Sequence, residues 1–138
     1  MKLSARNQIS GKIVEVQEGA VNAKVVLETK EGMRITATLT EESVRYLSLH
    51  VGMSATAIFK ANAVMLAKGN GLKLSARNQF VGKVLEITKG PVSSEVIVAV
   101  GGDKIVSSLT LEGMQSLELS KGDEVVAIVK ASALIMGV

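Results

Sequence analysis

Apolar and polar positions in the first half of the chain follow the period of two that sets one face of a β-strand inward. Residues 9–17 are rich in β-branched side chains, residues 23–28 form a second apolar run, and residues 34–39 alternate as Ile35, Ala37 and Leu39. Three strands in succession are therefore predicted, in a meander. Over residues 40–47 the pattern changes: Thr40 suits an N-cap, Glu41 and Glu42 fall in a first helical turn, and Val44 and Leu47 lie three apart. This predicts a short helix. Beyond the turn at Gly52-Met53, residues 55–60 and 64–67 predict two more strands. Five short strands with one helix between the third and fourth is the order of an OB-type β-barrel.

The same order then recurs. Residues 2–16 read KLSARNQISGKIVEV and residues 73–87 read KLSARNQFVGKVLEI, with ten of fifteen positions identical. Three of the five differences exchange one aliphatic for another, so the chain is a tandem duplication. The register continues through Gly19-Ala20-Val21 against Gly90-Pro91-Val92 and slips by one residue in a turn, 28–32 against 99–102. It resumes at Leu39-Thr40 against Leu109-Thr110 and ends on Lys60-Ala61 against Lys130-Ala131. The second helix falls on residues 110–117, where Gly113 weakens the pattern. The reading is mainly β: two tandem OB-like five-stranded barrels, each with one short helix, over residues 1–68 and 72–138. Residues 69–71 form a short glycine-containing linker.

Composition narrows the chemistry. The 138 residues are 47% hydrophobic and 21% charged, enough apolar material for a packed core. No apolar run approaches the roughly 18 residues of a membrane helix, and the first residues have no apolar signal-peptide region, so a soluble, cytoplasmic protein is expected. The absence of cysteine removes disulfides, thiolate catalysis and cysteine-held zinc or iron–sulfur centres. His50 is the single histidine, and the carboxylates have no spacing of a metal cluster or a paired acid and base. Neither an enzyme nor a metal held directly by side chains is expected. A net charge of +3 permits anionic partners without the basic excess of a dedicated nucleic-acid binder. Barrels of about 67 residues lie near the lower limit of independent stability, and the surplus of aliphatic side chains implies self-association.

Polar residues present in both repeats are the candidates for a duplicated function, and His50 drops out because Ser120 stands in its place. The densest shared cluster is Ser-Ala-Arg-Asn-Gln, at 4–8 and 75–79. It combines a hydroxyl, a guanidinium, two amides and backbone N–H groups with no carboxylate. Lys60-Ala61 and Lys130-Ala131 each add a cation followed by a residue small enough for close approach to its N–H. Together these are oxyanion donors. Phosphate near neutral pH carries a proton that needs an acceptor, whereas sulfate, molybdate and tungstate are satisfied by donors alone. The same residues also suit a solvated strand lead-in and an ordinary strand-end lysine. A single-stranded nucleic-acid-binding OB protein is a second reading, weakened because Tyr46, Phe59 and Phe80 provide no aromatic position common to both repeats. A structural oligomerisation module is a third.

With Ser-Ala-Arg-Asn-Gln twice, in register with Gly-Lys, Gly-x-Val and Lys-Ala, the chain resembles the molbindin, or Mop-domain, family over nearly its full length. The resemblance implies a two-domain cytoplasmic protein that binds molybdate, with tungstate as analogue, for molybdenum storage or homeostasis. It implies a homotrimer of OB-like domains with oxyanions held at interfaces. From the residues themselves, no partnership with nucleic acid or membrane is expected. Carried over by position, one class of site takes Ser4, Arg6, Lys60 and Ala61, and Ser75, Arg77, Lys130 and Ala131, with the pairing of the halves left open. A second class, near a threefold axis, takes Asn22, Ala23 and Lys24, and in the second repeat Ser93 and Ser94. There Glu95 replaces the lysine and puts an equivalent site in doubt. No helix-turn-helix and no Gly-x-x-x-x-Gly-Lys-Ser/Thr loop is present.

Overall fold

In each repeat the first strand is the longest because it serves two partners. In the computed structural model, which describes residues 2–69 and 73–138, β1 (Asn7–Glu18) pairs antiparallel with β4 (Ser54–Phe59) through residues 7–12 and with β2 (Asn22–Glu28) through residues 12–18. A bulge between Ile13 and Glu15 separates the inward alternation of Ile9 and Ile13 from the second half of the strand. β2 continues into β3 (Arg34–Thr40), and Thr40 caps α1 (Glu41–Tyr46) by accepting the Ser43 N–H at 3.1 Å. The second repeat follows the same plan: β6 (Asn78–Lys89), β7 (Ser93–Val100), β8 (Asp103–Thr110), α2 (Leu111–Leu117) and β9 (Glu124–Val129). Its bulge lies between Val84 and Glu86.

Both helices form where the cap predicts them. Gly113 does not break α2, because its own amide is the one that Thr110 Oγ1 accepts, at 3.1 Å, and Met114 beside it is buried. The predicted slip between repeats is a change of hairpin. Glu28 faces Arg34 across a five-residue loop, whereas Val100 faces Asp103 across Gly101-Gly102 alone, with Gly101 at a φ of 58°. A glycine of positive φ in the first central position lets the two strands run on with matched twist.

The last strand of each repeat departs from the simplest expectation. β5 (Met65–Ala67) pairs with β9, and β10 (Ile135–Gly137) pairs with β4. The sheets therefore run β10-β4-β1-β2-β3 and β5-β9-β6-β7-β8. The compact units are 1–59 with 130–138, and 60–129, a partition different from the sequence repeats 1–68 and 72–138. Of the linker expected at 69–71, Asn70 and Gly71 lie outside the described residues, as do Met1 and Leu72.

In the first unit Leu134 and Met136 are each 4% exposed, in a core with Ile13, Leu27, Ile35 and Phe59. In the second, Val64 and Leu66 are buried with Val84, Val96, Val98 and Ile105. Two buried aliphatic side chains contribute roughly 3–6 kcal/mol, enough to hold a three-residue strand in place. Each segment enters through a 3₁₀ turn, Ala61–Ala63 or Ala131–Ala133. In the second unit Lys68 Nζ also reaches Asp123 Oδ2 at 3.0 Å and the Glu118 carbonyl at 3.0 Å. The Ser120 amide, and after it Lys68, hold the Asp123 carboxyl below its ordinary value.

Gly11 and Gly82 mark the closest approach in each sheet. A Cβ would lie 2.4 Å from the Glu28 carbonyl oxygen at Gly11 and 2.2 Å from that of Ala99 at Gly82. Gly82→Ala is expected to cost about 1–3 kcal/mol through forced backbone displacement, read as a lower urea midpoint at unchanged slope. Because a depressed carboxyl stabilises the fold above its unfolded pKa, the contribution of Asp123 should be complete at neutral pH. It should fade only as the pH falls below the ordinary value of 3.8; urea midpoints of the native chain and Asp123→Asn across pH should converge only in that range.

Candidate oxyanion site

The five shared residues that open each repeat divide into scaffold amides and exposed side chains. Asn7 and Asn78 begin β1 and β6 and are each 1% exposed, and Asn78 Nδ2 donates to the Val129 carbonyl at 3.1 Å. Gln8 Nε2 donates back to the Ala5 carbonyl at 3.0 Å. Gln79 Nε2 likewise donates to the carbonyls of Ala76 at 2.9 Å and Leu74 at 3.2 Å. The sequence reading counted both amides among the oxyanion donors. The fold spends them instead: asparagine anchors the strand to its neighbour, and glutamine folds the preceding residues into a fixed lead-in. Ser4, Arg6, Ser75 and Arg77 are exposed on that lead-in.

Lys60 and Lys130 stand immediately before the two 3₁₀ turns in matching extended conformations, with φ and ψ of −74° and 145° and of −66° and 138°. Their carbonyls accept the N–H groups of Ala63 and Ala133, each at 3.0 Å, and no side chain caps either turn. Both lysines are exposed, while Ala61 and Ala131 are half-buried. Strand register decides where the lysines stand. Asn7 faces Phe59 and Asn78 faces Val129, so Lys60 follows directly on the residue opposite the start of β1, and Lys130 on the residue opposite the start of β6. The register thus brings each lysine to the lead-in of its own repeat, Lys60 to that of Ser4 and Arg6 and Lys130 to that of Ser75 and Arg77.

The second group of predicted residues lies at the start of β2 and β7, and the two copies differ. Asn22 is exposed, Ala23 is buried, and Lys24 Nζ pairs with Glu15 Oε2 at 2.7 Å. Asn22, Ala23 and Lys24 line a shallow cavity of about 270 Å³ with Gln17, Glu18 and Thr38, residues that the sequence reading did not single out. In the second unit Ser93 is exposed, Ser94 is 1% exposed with no hydrogen-bond partner for its Oγ, and Glu95 follows. A larger groove of about 710 Å³, lined by Ser10, Lys12, Lys30, Thr56 and Val138 among others, includes none of the predicted residues. Among the described residues no three His, Cys, Asp or Glu side chains gather as a metal site, and no helix is long and apolar enough to cross a membrane.

Comparison with known proteins places this geometry. Residues 3–66 and 74–136 each match the TOBE domain. The chain is 38% identical over 140 residues to the molybdenum transport protein ModE of Herbaspirillum seropedicae, covering all of this chain and 52% of that protein. It is 36% identical over 138 residues to the molybdenum-pterin-binding protein MopA of Rhodobacter capsulatus, covering 99% of this chain and 52% of that one. The chain thus spans about half the length of these two curated relatives. Among solved structures, the cytoplasmic molybdate-binding protein ModG with molybdate bound is similar over 100% of this chain and 99% of its own. The TM-score is 0.96 and the identity 41%.

If Asn78 is scaffold, Asn78→Ala should lower stability by about 1–3 kcal/mol, by stranding the buried Val129 carbonyl. Thermal or urea unfolding measures this directly, and an unchanged midpoint would return the amide to the pool of ligand donors.

Proposed function

The chain belongs to the TOBE-domain family, with two copies of the domain in tandem, and on that premise we propose that it is a cytoplasmic molybdate-binding protein serving molybdenum storage or homeostasis. Tungstate is the analogue it would also take, and the protein is a binder rather than an enzyme. The observation that carries this reading is the strand register that brings the lysine of each repeat to its own Ser-Ala-Arg lead-in: serine hydroxyl, guanidinium, ammonium and the amide at a small residue, with no carboxylate among them. Such a set satisfies a fully deprotonated tetrahedral oxyanion through charge-assisted hydrogen bonds. The full-length likeness to a protein solved with molybdate bound supports the same ligand.

Ser4, Arg6, Lys60 and Ala61, and Ser75, Arg77, Lys130 and Ala131, are the proposed ligands. Because these groups are exposed, each set completes its site against another subunit, in a homotrimer. Val21 and Val92, at equivalent turns just before Asn22 and Ser93, are 72% and 81% exposed, which supports burial of those turns by neighbouring chains. Asn22, Ala23 and Lys24, with Ser93 and Ser94 as the altered counterpart, are then placed near the threefold axis. Non-covalent capture at interfaces makes loading reversible and stabilises the assembly by mass action. Single-stranded nucleic acid is disfavoured, since Phe59 and Phe80 are buried and only Tyr46 offers an exposed ring.

Calorimetric titration with molybdate in chloride buffer, repeated with excess sulfate and phosphate, tests the reading. Saturable binding that survives both competitors is expected. Arg6→Ala or Lys60→Ala should weaken it at least about tenfold, or roughly 1.4 kcal/mol, while Lys12→Ala leaves it nearly unchanged. Equal losses in all three, or no heat from anion-free protein, would overturn the assignment.

A further inference from the structure

The two repeats carry nearly interchangeable final segments, 60–68 and 130–138, yet each closes the sheet of the other repeat. The aliphatic contacts do not discriminate: Val64 and Leu66 occupy the positions that Leu134 and Met136 occupy in the other unit, and all four are buried. Backbone pairing does not discriminate either. Ala67 faces Val126 as Gly137 faces Thr56, and the registers superimpose residue for residue.

Polar contacts do differ. In the second unit Ser107, fully buried in β8, donates through Oγ to the Val64 carbonyl at 2.8 Å. The corresponding residue of the first unit is Ala37, which has no hydroxyl to offer Leu134. At the end of the same segment Lys68 Nζ meets Asp123 Oδ2 at 3.0 Å and the carbonyls of Glu118 at 3.0 Å and Leu117 at 3.4 Å. Asp123 is oriented by the Ser120 N–H, which donates to Oδ2 at 2.9 Å. Here too the first unit has no equivalent: Met53 stands in place of Asp123 and Val138 in place of Lys68. The Ser107 contact goes to a main-chain carbonyl that Leu134 would offer equally, so it does not tell the two segments apart; the Lys68–Asp123 pair does, because segment 60–68 alone ends in lysine and the second repeat alone carries the aspartate.

We propose that the Lys68–Asp123 pair is a latch that assigns segment 60–68 to the second unit, so that strand exchange is specified by a charged contact rather than by the aliphatic core. The alternative it selects against is a closed arrangement in which each final strand folds back on its own repeat, with Ala67 opposite Thr56. Hydrogen bonding gives the latch its selectivity: a segment without a lysine at its end leaves Asp123 without its cation, and a first-unit sheet offers Lys68 no carboxylate at position 53. Lys68 and Asp123 are positioning residues. They fix the course of the segment that opens with Lys60 and Ala61, a bearing on anion binding that rests on the function proposed above.

The cysteine-free chain allows a direct test by disulfide mapping. Facing residues in an antiparallel pair lie within disulfide reach. Ala67→Cys with Val126→Cys, in the full chain under mild oxidation, should yield one intramolecular disulfide in nearly all molecules. Ala67→Cys with Thr56→Cys should yield almost none. Adding Asp123→Met, the residue that the first unit itself uses, should raise the second disulfide severalfold. Lys68→Ala should raise it in the same direction, whereas Ser107→Ala, whose bond either segment can accept, should leave it within twofold. The latch is overturned if the first disulfide fails to form in the native background, or if the yield of the second stays within twofold after Asp123→Met. The readout needs no molybdate, so failure of the latch and failure of the anion-binding reading are distinguishable.

Discussion

Everything in each unit depends on one long strand pairing with different neighbours along its two halves. β1 gives residues 7–12 to β4 and 12–18 to β2, and the crossover is possible because a carbonyl oxygen occupies the space where a side chain at Gly11 would be. β6 repeats the device at Gly82. The sheet is then built outward from this strand. It also fixes the lead-in residues before Asn7 and Asn78, because a buried asparagine sets where the strand begins and a glutamine ties back what precedes it. The exposed serine and arginine stand on that framework.

Local order was legible in the sequence wherever a single segment carried its own signal. Alternation at Ile35, Ala37 and Leu39 marks β3, and a threonine followed by acidic residues marks α1. Gly113 misleads only if helix propensity is weighed without asking which amide the cap must satisfy. The exchange of β5 and β10 was not legible, because strand partnership is a choice between two surfaces of almost the same pattern, and periodicity speaks only to the segment that carries it. Length was misjudged for a related reason: 12 residues in β1 serve two partners, and nothing within the strand announces the second.

Shared identity between the repeats does not by itself separate scaffold from candidate ligand. Asn78 and Gln79 recur because the scaffold recurs, and their hydrogen bonds to Val129 and Ala76 explain their retention without any ligand. Positions where the repeats differ carried information of another kind. Ser107 against Ala37 and Asp123 against Met53 look like drift in an alignment, yet each makes a contact that its counterpart lacks the atoms to make. Lys24 against Glu95 reverses a charge at the start of equivalent strands, so the two units present different fields from the same backbone.

The partition of the chain also imposes an order of events during synthesis. The second unit is one continuous stretch, 60–129, while the first is assembled from residues 1–59 and 130–138. Domains emerging from a ribosome commonly fold in the order in which they are made, but the first unit lacks an edge strand until β10 has been released. The half of the protein that is translated first is therefore the last to be completed. In the interval β4 presents an unpaired edge beside the exposed floor that Leu134 and Met136 will cover, an opening through which a nascent chain can acquire the wrong strand.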